Sequence, residues 1–173
     1  MVRPLMITPR YCQVMARYNR WQNKNAVAAA DTLSDGLRAA GRGAFFGSVI
    51  NTLRHTLWGD HIWMSRFDGW DAPDATIADS IEFGGEWPEY KTKRTITDAR
   101  IIRWADHLTD GDLEGDLSWF SGALQREVTK PAAICIMHLF NHQTHHRGQV
   151  HAMLTASGAR PGDTDLFIMP EER

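Results

Sequence analysis

The chain has 173 residues, of which 43% are hydrophobic and 23% charged, and a formal net charge of -2. That length is typical of one domain, and this apolar fraction can fill one core. The near-neutral charge gives no electrostatic reason to expect nucleic acid or a membrane as a partner. There is no apolar run of about 18 residues, no signal-peptide pattern, and only two cysteines. We therefore expect a single-domain cytoplasmic protein over residues 1–173.

Two helices and a long loop are predicted in the first half of the chain. The first helix spans residues 8–30, where Thr8 can cap the N-terminus and Pro9 takes the first helical position. The second spans residues 43–67 and is strongly apolar. Residues 68–87 are rich in glycine and acidic side chains, which indicates a long loop.

The second half is predicted to contain two more helices with a hairpin between them. The third helix lies near residues 88–109, with Thr95 or Thr97 as a cap for part of it. Two short runs around Gly122 then indicate a small hairpin, and the last helix spans residues 131–157. The predicted fold class is all-α: a four-helix bundle with a long loop after helix two and a small hairpin before the last helix.

Five of the eight histidines lie in the stretch "HLFNHQTHHRGQVH", residues 138–151, within the last predicted helix. At about 100° per residue, four of them share one stripe with apolar side chains, and His151 points the opposite way. The four are His138, His142, His145 and His146. Helices usually bury such a stripe, so we expect these four side chains inside the bundle. Buried imidazoles without partners are costly, and a metal ion removes that cost by accepting a lone pair from each ring.

A histidine of the second predicted helix, His55, can complete such a site. Spacing alone leaves open which residue of the last helix accompanies His142. His138 and His146 each form an i, i+4 pair with His142, and His145 forms an i, i+3 pair. Because His142 belongs to every combination, it is the best-supported ligand at this point.

Other residues near these positions have simpler interpretations. Gly59 lies beside His55 on the same face and leaves room for an ion or a ligand. Cys135 shares the stripe of the last helix but lies about two turns before His142, too far to share an ion easily. Three further histidines are expected to be surface or packing residues: His61, His107 and His151.

Two segments of the sequence resemble the DinB family of damage-inducible proteins. They are "NTLRHTLWGDHIWMSRF" (residues 51–67) and "NHQTHHRGQVHAMLTASGARP" (residues 141–161), and the resemblance extends over nearly the whole chain. The resemblance implies a four-helix bundle with one histidine from helix two and an HxxxH pair from the last helix. Those positions correspond to His55, His142 and His146.

The resemblance also implies the nature of the site. His138 and His145 become neighbours of the ligands, and the ion is a divalent metal, most often zinc or nickel. Homodimers are common in the family, so a homodimer is expected. We predict that it uses the helix face opposite the histidines, which carries Phe140, Thr144, Gly148 and His151.

Three neutral imidazoles with an open position are typical of a catalytic metal site. Some DinB-like proteins activate a low-molecular-weight thiol, so the resemblance implies a metal-dependent thiol S-transferase or isomerase. The alternatives are a metal-dependent hydrolase and a non-catalytic metal-binding stress protein. In HExxH metallopeptidases the residue after the first histidine is the base. Here it would be Leu139 or Gln143, which cannot accept a proton, so a hydrolase is less favoured.

Overall fold

A computed structural model describes residues 6–171 of the protein. Its helices are α1 (Pro9–Asp31), α2 (Asp35–Ala39), α3 (Val49–Phe67), α4 (Trp87–His107) and α5 (Ala132–Ala156). Two strands, β1 (Asp116–Ser121) and β2 (Arg126–Pro131), pair antiparallel. The fold is therefore mostly helical with a small two-stranded sheet, and the hairpin predicted before the last helix is present.

The four long helices pack against one another in a closed order. The α1 helix contacts α4 and α5, and α3 contacts the same two helices. Two apolar clusters fill the space between them, one around Met64 and Leu139, the other around Leu53 and Leu154. Burial of such side chains is the main favourable term in folding.

Phe140 belongs to this core and not to a free surface. Its side chain is fully buried, and its ring meets Tyr11 of α1 edge to face with 6.0 Å between centroids. The prediction that Phe140 lies on a dimer face is therefore wrong. The α5 helix packs on α1 as well as on α3, so the face opposite the histidines is covered in part, while Thr144 and Gly148 remain exposed.

The α3 helix begins six residues later than predicted. Val49 is its first residue, and Ser48 caps it by accepting a hydrogen bond at Oγ from the Asn51 N–H, at 3.3 Å. Gly43 and Gly47 have φ angles of 75° and 82°, values that interrupt a helix and favour glycine. Residues 43–48 therefore form a turn, which the apolar composition of the segment concealed.

The start of α4 is set by a capping box that the sequence reading missed. Glu86 and Glu89 each accept a hydrogen bond from the other's backbone N–H, so the helix starts at Trp87. Thr95 and Thr97 lie within the helix, and the prediction that one of them is a cap is wrong. Thr95 instead donates its hydroxyl proton to the carbonyl of Lys91, one turn earlier, at 2.9 Å.

The segment between α3 and α4 is the predicted long loop, and α3 holds it in place. Trp58 donates its indole N–H to the carbonyl of Ala75 at 2.8 Å. Arg54 donates to the carbonyls of Ile81, at 3.2 Å, and Gly85, at 2.8 Å. The loop therefore forms a fixed wall beside α3.

Two further features bear on the expectations from the sequence. Between residues 6 and 171, no helix combines the length and apolarity needed to cross a bilayer. Cys12 and Cys135 are both buried and free, so they do not form a disulfide with each other.

Candidate metal centre

Three histidines from two helices come together between α3 and α5. His55 lies on α3, and His142 and His146 lie one turn apart on α5; each offers a nitrogen, and the three nitrogens lie within 4.8 Å of one another. The Nε2 atoms of His55 and His142 are 3.1 Å apart. Two imidazole nitrogens on one tetrahedral zinc ion, each about 2.0–2.1 Å from it, are about 3.3 Å apart. This spacing fits two nitrogens that share an ion.

Gly59 explains how the two helices bring these rings so close. A Cβ atom built at Gly59 would lie 3.0 Å from Cε1 and 3.4 Å from Nδ1 of His142. The ring of His142 therefore occupies the space that a side chain would need. Gly59 does leave room on this face, as predicted, but the room is taken by a histidine ring and not by an ion or ligand.

The tautomer of His55 follows from its contact with the loop. Ser80 Oγ lies 2.9 Å from Nδ1 of His55 and donates its one proton to the carbonyl of Ile77 at 2.6 Å. Ser80 must therefore accept a hydrogen bond from Nδ1–H of His55. The lone pair of His55 is then on Nε2, which is directed toward His142. Hydrogen bonds of this kind orient metal-binding histidines.

His146 is held in the same way by a residue of its own helix. Its Nδ1 lies 2.9 Å from Oε1 of Gln149, while Nε2 of Gln149 lies 3.3 Å from Nε2 of His145. The Gln149 amide can accept from His146 only through its oxygen, so Nδ1 of His146 carries the proton. The free lone pair of His146 is thus on Nε2.

His142 lacks such a partner. Its Nδ1 is buried and has no hydrogen bond to any described residue. Either this nitrogen is an unpaired acceptor, or it carries the proton and two Nε2 lone pairs face each other 3.1 Å apart. In both arrangements the cluster is incomplete without a further group. A cation between the Nε2 atoms would relieve the second arrangement.

Burial keeps the three rings neutral. It lowers the pKa of His55 to about 4 and the pKa of His142 to about 3, and the other histidines add to both effects. Burial also lowers the pKa of His146, against a hydrogen bond donated to Gln149 that raises it. At neutral pH all three rings can therefore offer lone pairs, as a divalent ion requires.

Phe46 covers one side of the cluster. Its ring stacks on His55 with 3.8 Å between centroids and lies 5.4 Å from His146. The residue sits in the turn before α3, within the segment predicted to be helical. The flanking Gly43 and Gly47 were the signal for this turn. An apolar cover of this kind excludes water from the ligand side chains.

The other two histidines of the stripe are exposed, so the expectation that all four are buried is wrong for them. His138 stands 5.0 Å from the Trp63 ring and 5.8 Å from the His142 ring, centroid to centroid. His145 packs 4.8 Å from His146 and contacts Gln149. The histidine stripe is wider than the contact between α3 and α5. Its edge residues, His138 and His145, therefore face solvent or an open cavity.

The remaining histidines lie outside the cluster. His61 pairs through Nε2 with Thr97 Oγ1 at 3.0 Å and packs against the rings of Trp70 and Phe83. This agrees with a packing role. His107 is exposed and His151 is half-buried. Cys135 is not part of the histidine group.

A cavity of about 650 Å³ opens beside the cluster. His55 and His142 are among its lining residues, and its walls come from α3, α5, the loop and the hairpin. Its largest side chains are Trp58, Trp63 and Trp119. A ligand in this cavity would therefore reach two of the three clustered histidines.

Comparisons with known proteins agree with this architecture. A protein-family model described as the DinB family matches residues 6–173. Among solved structures, the crystal structure of a DinB-like protein from Bacillus cereus ATCC 10987 is similar, with a TM-score of 0.56 at 18% identity. The match covers 83% of this chain and 90% of that chain, and it shows a shared fold. No curated protein matches the sequence.

Proposed function

This chain belongs to the DinB family, and we propose that it binds a divalent metal ion, zinc or nickel, through His55, His142 and His146. The observation that carries the proposal is the convergence of three neutral imidazoles whose ligand nitrogens lie within 4.8 Å of one another. Ser80 and Gln149 support it, because they direct the lone pairs of His55 and His146 toward the common centre.

We propose further that the site serves a metal-dependent thiol S-transferase or isomerase. A bound divalent ion would supply the positive charge that keeps a small thiol ionised at neutral pH. The cavity beside His55 and His142 gives such a thiol access to the open side of the cluster. His138 also lines the cavity and can accept the thiol proton, while the sulfur forms its new bond and the electrophile loses its leaving group.

The test is a thiol-transfer assay on protein purified without an affinity tag. Metal-loaded and metal-stripped protein are mixed with glutathione, bacillithiol or mycothiol and a chromogenic electrophile. We expect thiol consumption that depends on the metal and is lost in His142→Ala. Stoichiometric metal without turnover of any of these thiols would reject the transferase and favour a non-catalytic metal-binding protein.

A metal-dependent hydrolase is less favoured by the composition of the cavity. Among its described lining residues there is no aspartate or glutamate. A hydrolase that activates water commonly needs such a carboxylate as a general base. Turnover of an ester or amide panel at neutral pH, lost in the metal-stripped protein, would reverse this preference.

The remaining proposals concern architecture, assembly and location. The closed order of contacts among the four long helices supports a four-helix bundle that forms one domain.

We propose a homodimer through the exposed part of the α5 face opposite the histidines, at Thr144 and Gly148. Light scattering that gives a monomer mass would reject the dimer. Two free thiols support a reducing compartment such as the cytoplasm.

A further inference from the structure

The cavity follows one stripe of α3 away from the histidines. His55, Gly59, Ile62 and Arg66 all line it, at spacings of four, three and four residues. Such spacings place side chains on one face of a helix, and eleven residues rise by about 16 Å. Arg66 therefore marks the end of the cavity far from the histidine cluster.

Aromatic rings hold the guanidinium of Arg66 in place. Its Cζ lies 4.5 Å from the Trp63 ring centroid and 5.2 Å from that of Trp119, so the hairpin and α3 both contact it. Stacking of this kind fixes the plane of a guanidinium and leaves its N–H donors at the edge. The position is thus prearranged, with less side-chain entropy to lose when a ligand binds.

No anionic side chain among the described residues pairs with Arg66. Within residues 6–171 its guanidinium makes neither an ion pair nor a hydrogen bond to another residue. By contrast, Arg54, on the same helix, donates to two loop carbonyls. A half-buried guanidinium that lines a cavity and keeps its donors free is suited to bind a carboxylate with two parallel hydrogen bonds.

The middle of the cavity, between the histidine cluster and Arg66, disfavours a second charge on a bound ligand. Its walls include Trp58, Ile62 and Trp63, and no carboxylate is among the described lining residues. An apolar or flat body is therefore favoured in the middle of a bound ligand, and an anion only at the Arg66 end.

We propose that the cavity binds an organic carboxylate that spans from the three-histidine cluster to Arg66. The carboxylate pairs with Arg66, the body packs on the tryptophans, and the reactive group lies at His55 and His142. A thiol of about tripeptide size that carries a carboxylate has the required length. The reactive end of this proposal rests on the proposed metal site, whereas the Arg66 end does not require a metal.

The experiment separates the two ends. A carboxylate can also bind a metal ion, so the titrations use His142→Ala, which the proposed function expects to be metal-free. Tryptophan fluorescence follows the binding of 4-phenylbutyrate and of its neutral counterpart 4-phenylbutyramide. We expect the carboxylate to bind at least about tenfold more tightly, the range of a charge-assisted hydrogen bond.

Substitutions at Arg66 then test the assignment. Adding Arg66→Gln should abolish the preference for the carboxylate, and Arg66→Lys should leave only part of it because lysine lacks the planar fork. Arg160→Gln, an equal charge change at an exposed residue, is the matched control and should keep the full preference. The lysine variant keeps the test usable if the glutamine variant does not fold.

The outcomes distinguish this inference from the proposed function. Equal binding of the two compounds, or a preference that survives Arg66→Gln, would overturn the assignment of Arg66 even if the parent protein binds metal. A preference that depends on Arg66, in a parent protein without metal, would support this inference and reject the metal site. Metal analysis of Arg66→Gln, which should bind as much metal as the parent, checks that the histidine cluster is intact.

Discussion

The α3 helix contributes to two buried polar clusters, on faces about 140° apart. On one face His55 joins His142 and His146, while on the other Asp60 pairs with Arg94 of α4 at 2.6 Å. The second cluster is held together by ion pairs. Arg94 also pairs with Asp98 at 2.7 Å, and each of these three charged residues is at most 4% exposed.

Every charge of this ion cluster has an opposite charge near it. Gln143 donates its amide to Asp60 and accepts from Arg147, so two acidic and two basic side chains balance. The histidine cluster has no such charge balance: its members are three neutral imidazoles, and two of their Nε2 atoms face each other 3.1 Å apart. A charge-balanced cluster needs no bound ion, whereas facing imidazole nitrogens are an arrangement that a bound cation would stabilise. The following predictions test this distinction.

The largest expected effect is on metal binding by the histidine cluster. His55→Ala, His142→Ala and His146→Ala should each abolish stoichiometric metal, because two imidazoles hold a divalent ion far more weakly than three. Elemental analysis of the purified variants measures this. His138→Ala is the control and should retain the metal, while full occupancy in His142→Ala would refute the ligand assignment.

The ion cluster should respond in stability and not in metal content. Arg94→Met leaves Asp60 and Asp98 buried without their cation, which should lower the free energy of unfolding by about 3–5 kcal/mol. Urea denaturation measures the loss. Lys91→Met, which breaks an exposed pair with Asp31, should cost less than about 1 kcal/mol. Similar losses for the two variants would show that Asp60 and Asp98 do not depend on a buried cation.

Metal removal should lower the thermal stability of the parent protein. At about 100 times the dissociation constant, a bound ion adds about 2.7 kcal/mol to the free energy of unfolding. For a domain of this size, its loss lowers the Tm by about 5–10 °C. Calorimetry with and without a chelator measures this. The chelator should not change the Tm of His142→Ala, and an equal shift there would mean that the ion binds elsewhere.

A smaller effect is expected at the hydroxyl that orients His55. Ser80→Ala removes the acceptor for Nδ1–H of His55 and should weaken metal affinity by about 10–100-fold. Competition with a metal-sensitive dye gives the affinity. Ser65→Ala is the control, since Ser65 also donates to a carbonyl three residues earlier but lies outside the histidine group. Equal affinities of both variants would show that the hydroxyl does not orient the ligand.

The smallest effect concerns His61, a histidine of α3 that belongs to neither cluster. Burial lowers the pKa of His61 to about 4 from the usual 6.5, and three nearby cations add to the effect. Because the folded state disfavours the proton, the stability that this residue contributes is full above pH 6.5 and falls as the pH decreases toward 4. The cations are Arg94, Arg100 and Lys93.

His61→Gln should therefore lose less stability than the parent between pH 6.5 and 4. Urea denaturation at several pH values measures the difference, and metal content should not change. His107→Gln, at an exposed site, should follow the parent. An identical acid response of His61→Gln and the parent would show that the residue is not held neutral.

Helical periodicity predicted how the histidines of the last helix are arranged around that helix. The turn of 100° per residue separated His151 from the stripe and left His142 common to every pair. The choice of His146 over His138 came from the resemblance to the DinB family. The prediction that His138 is buried was wrong. A sequence pattern indicates which face of a helix is apolar, but it does not indicate whether a cavity borders that face.

Long-range contacts were beyond the sequence patterns. Ser80 follows His55 by 25 residues, and no local pattern pairs the two. The role of Gln149 could have been predicted from the sequence. It lies three residues after His146 on the same helical stripe, and its side chain can accept a hydrogen bond. The position of Phe46 beside the cluster was missed because a helix was predicted to begin at residue 43. The buried pair of Asp60 and Arg94 joins two helices and was missed for the same reason as Ser80.

The hairpin gives the protein a way to change its ligand without changing its helices. The two strands satisfy each other's backbone hydrogen bonds, and residues of its turn, including Gly122 and Gln125, border the cavity. A turn of this kind tolerates insertions and substitutions at little cost in stability. Exchange of residues 121–125 is therefore the natural starting point for a library of engineered variants with new substrate preferences, built on an unaltered histidine cluster.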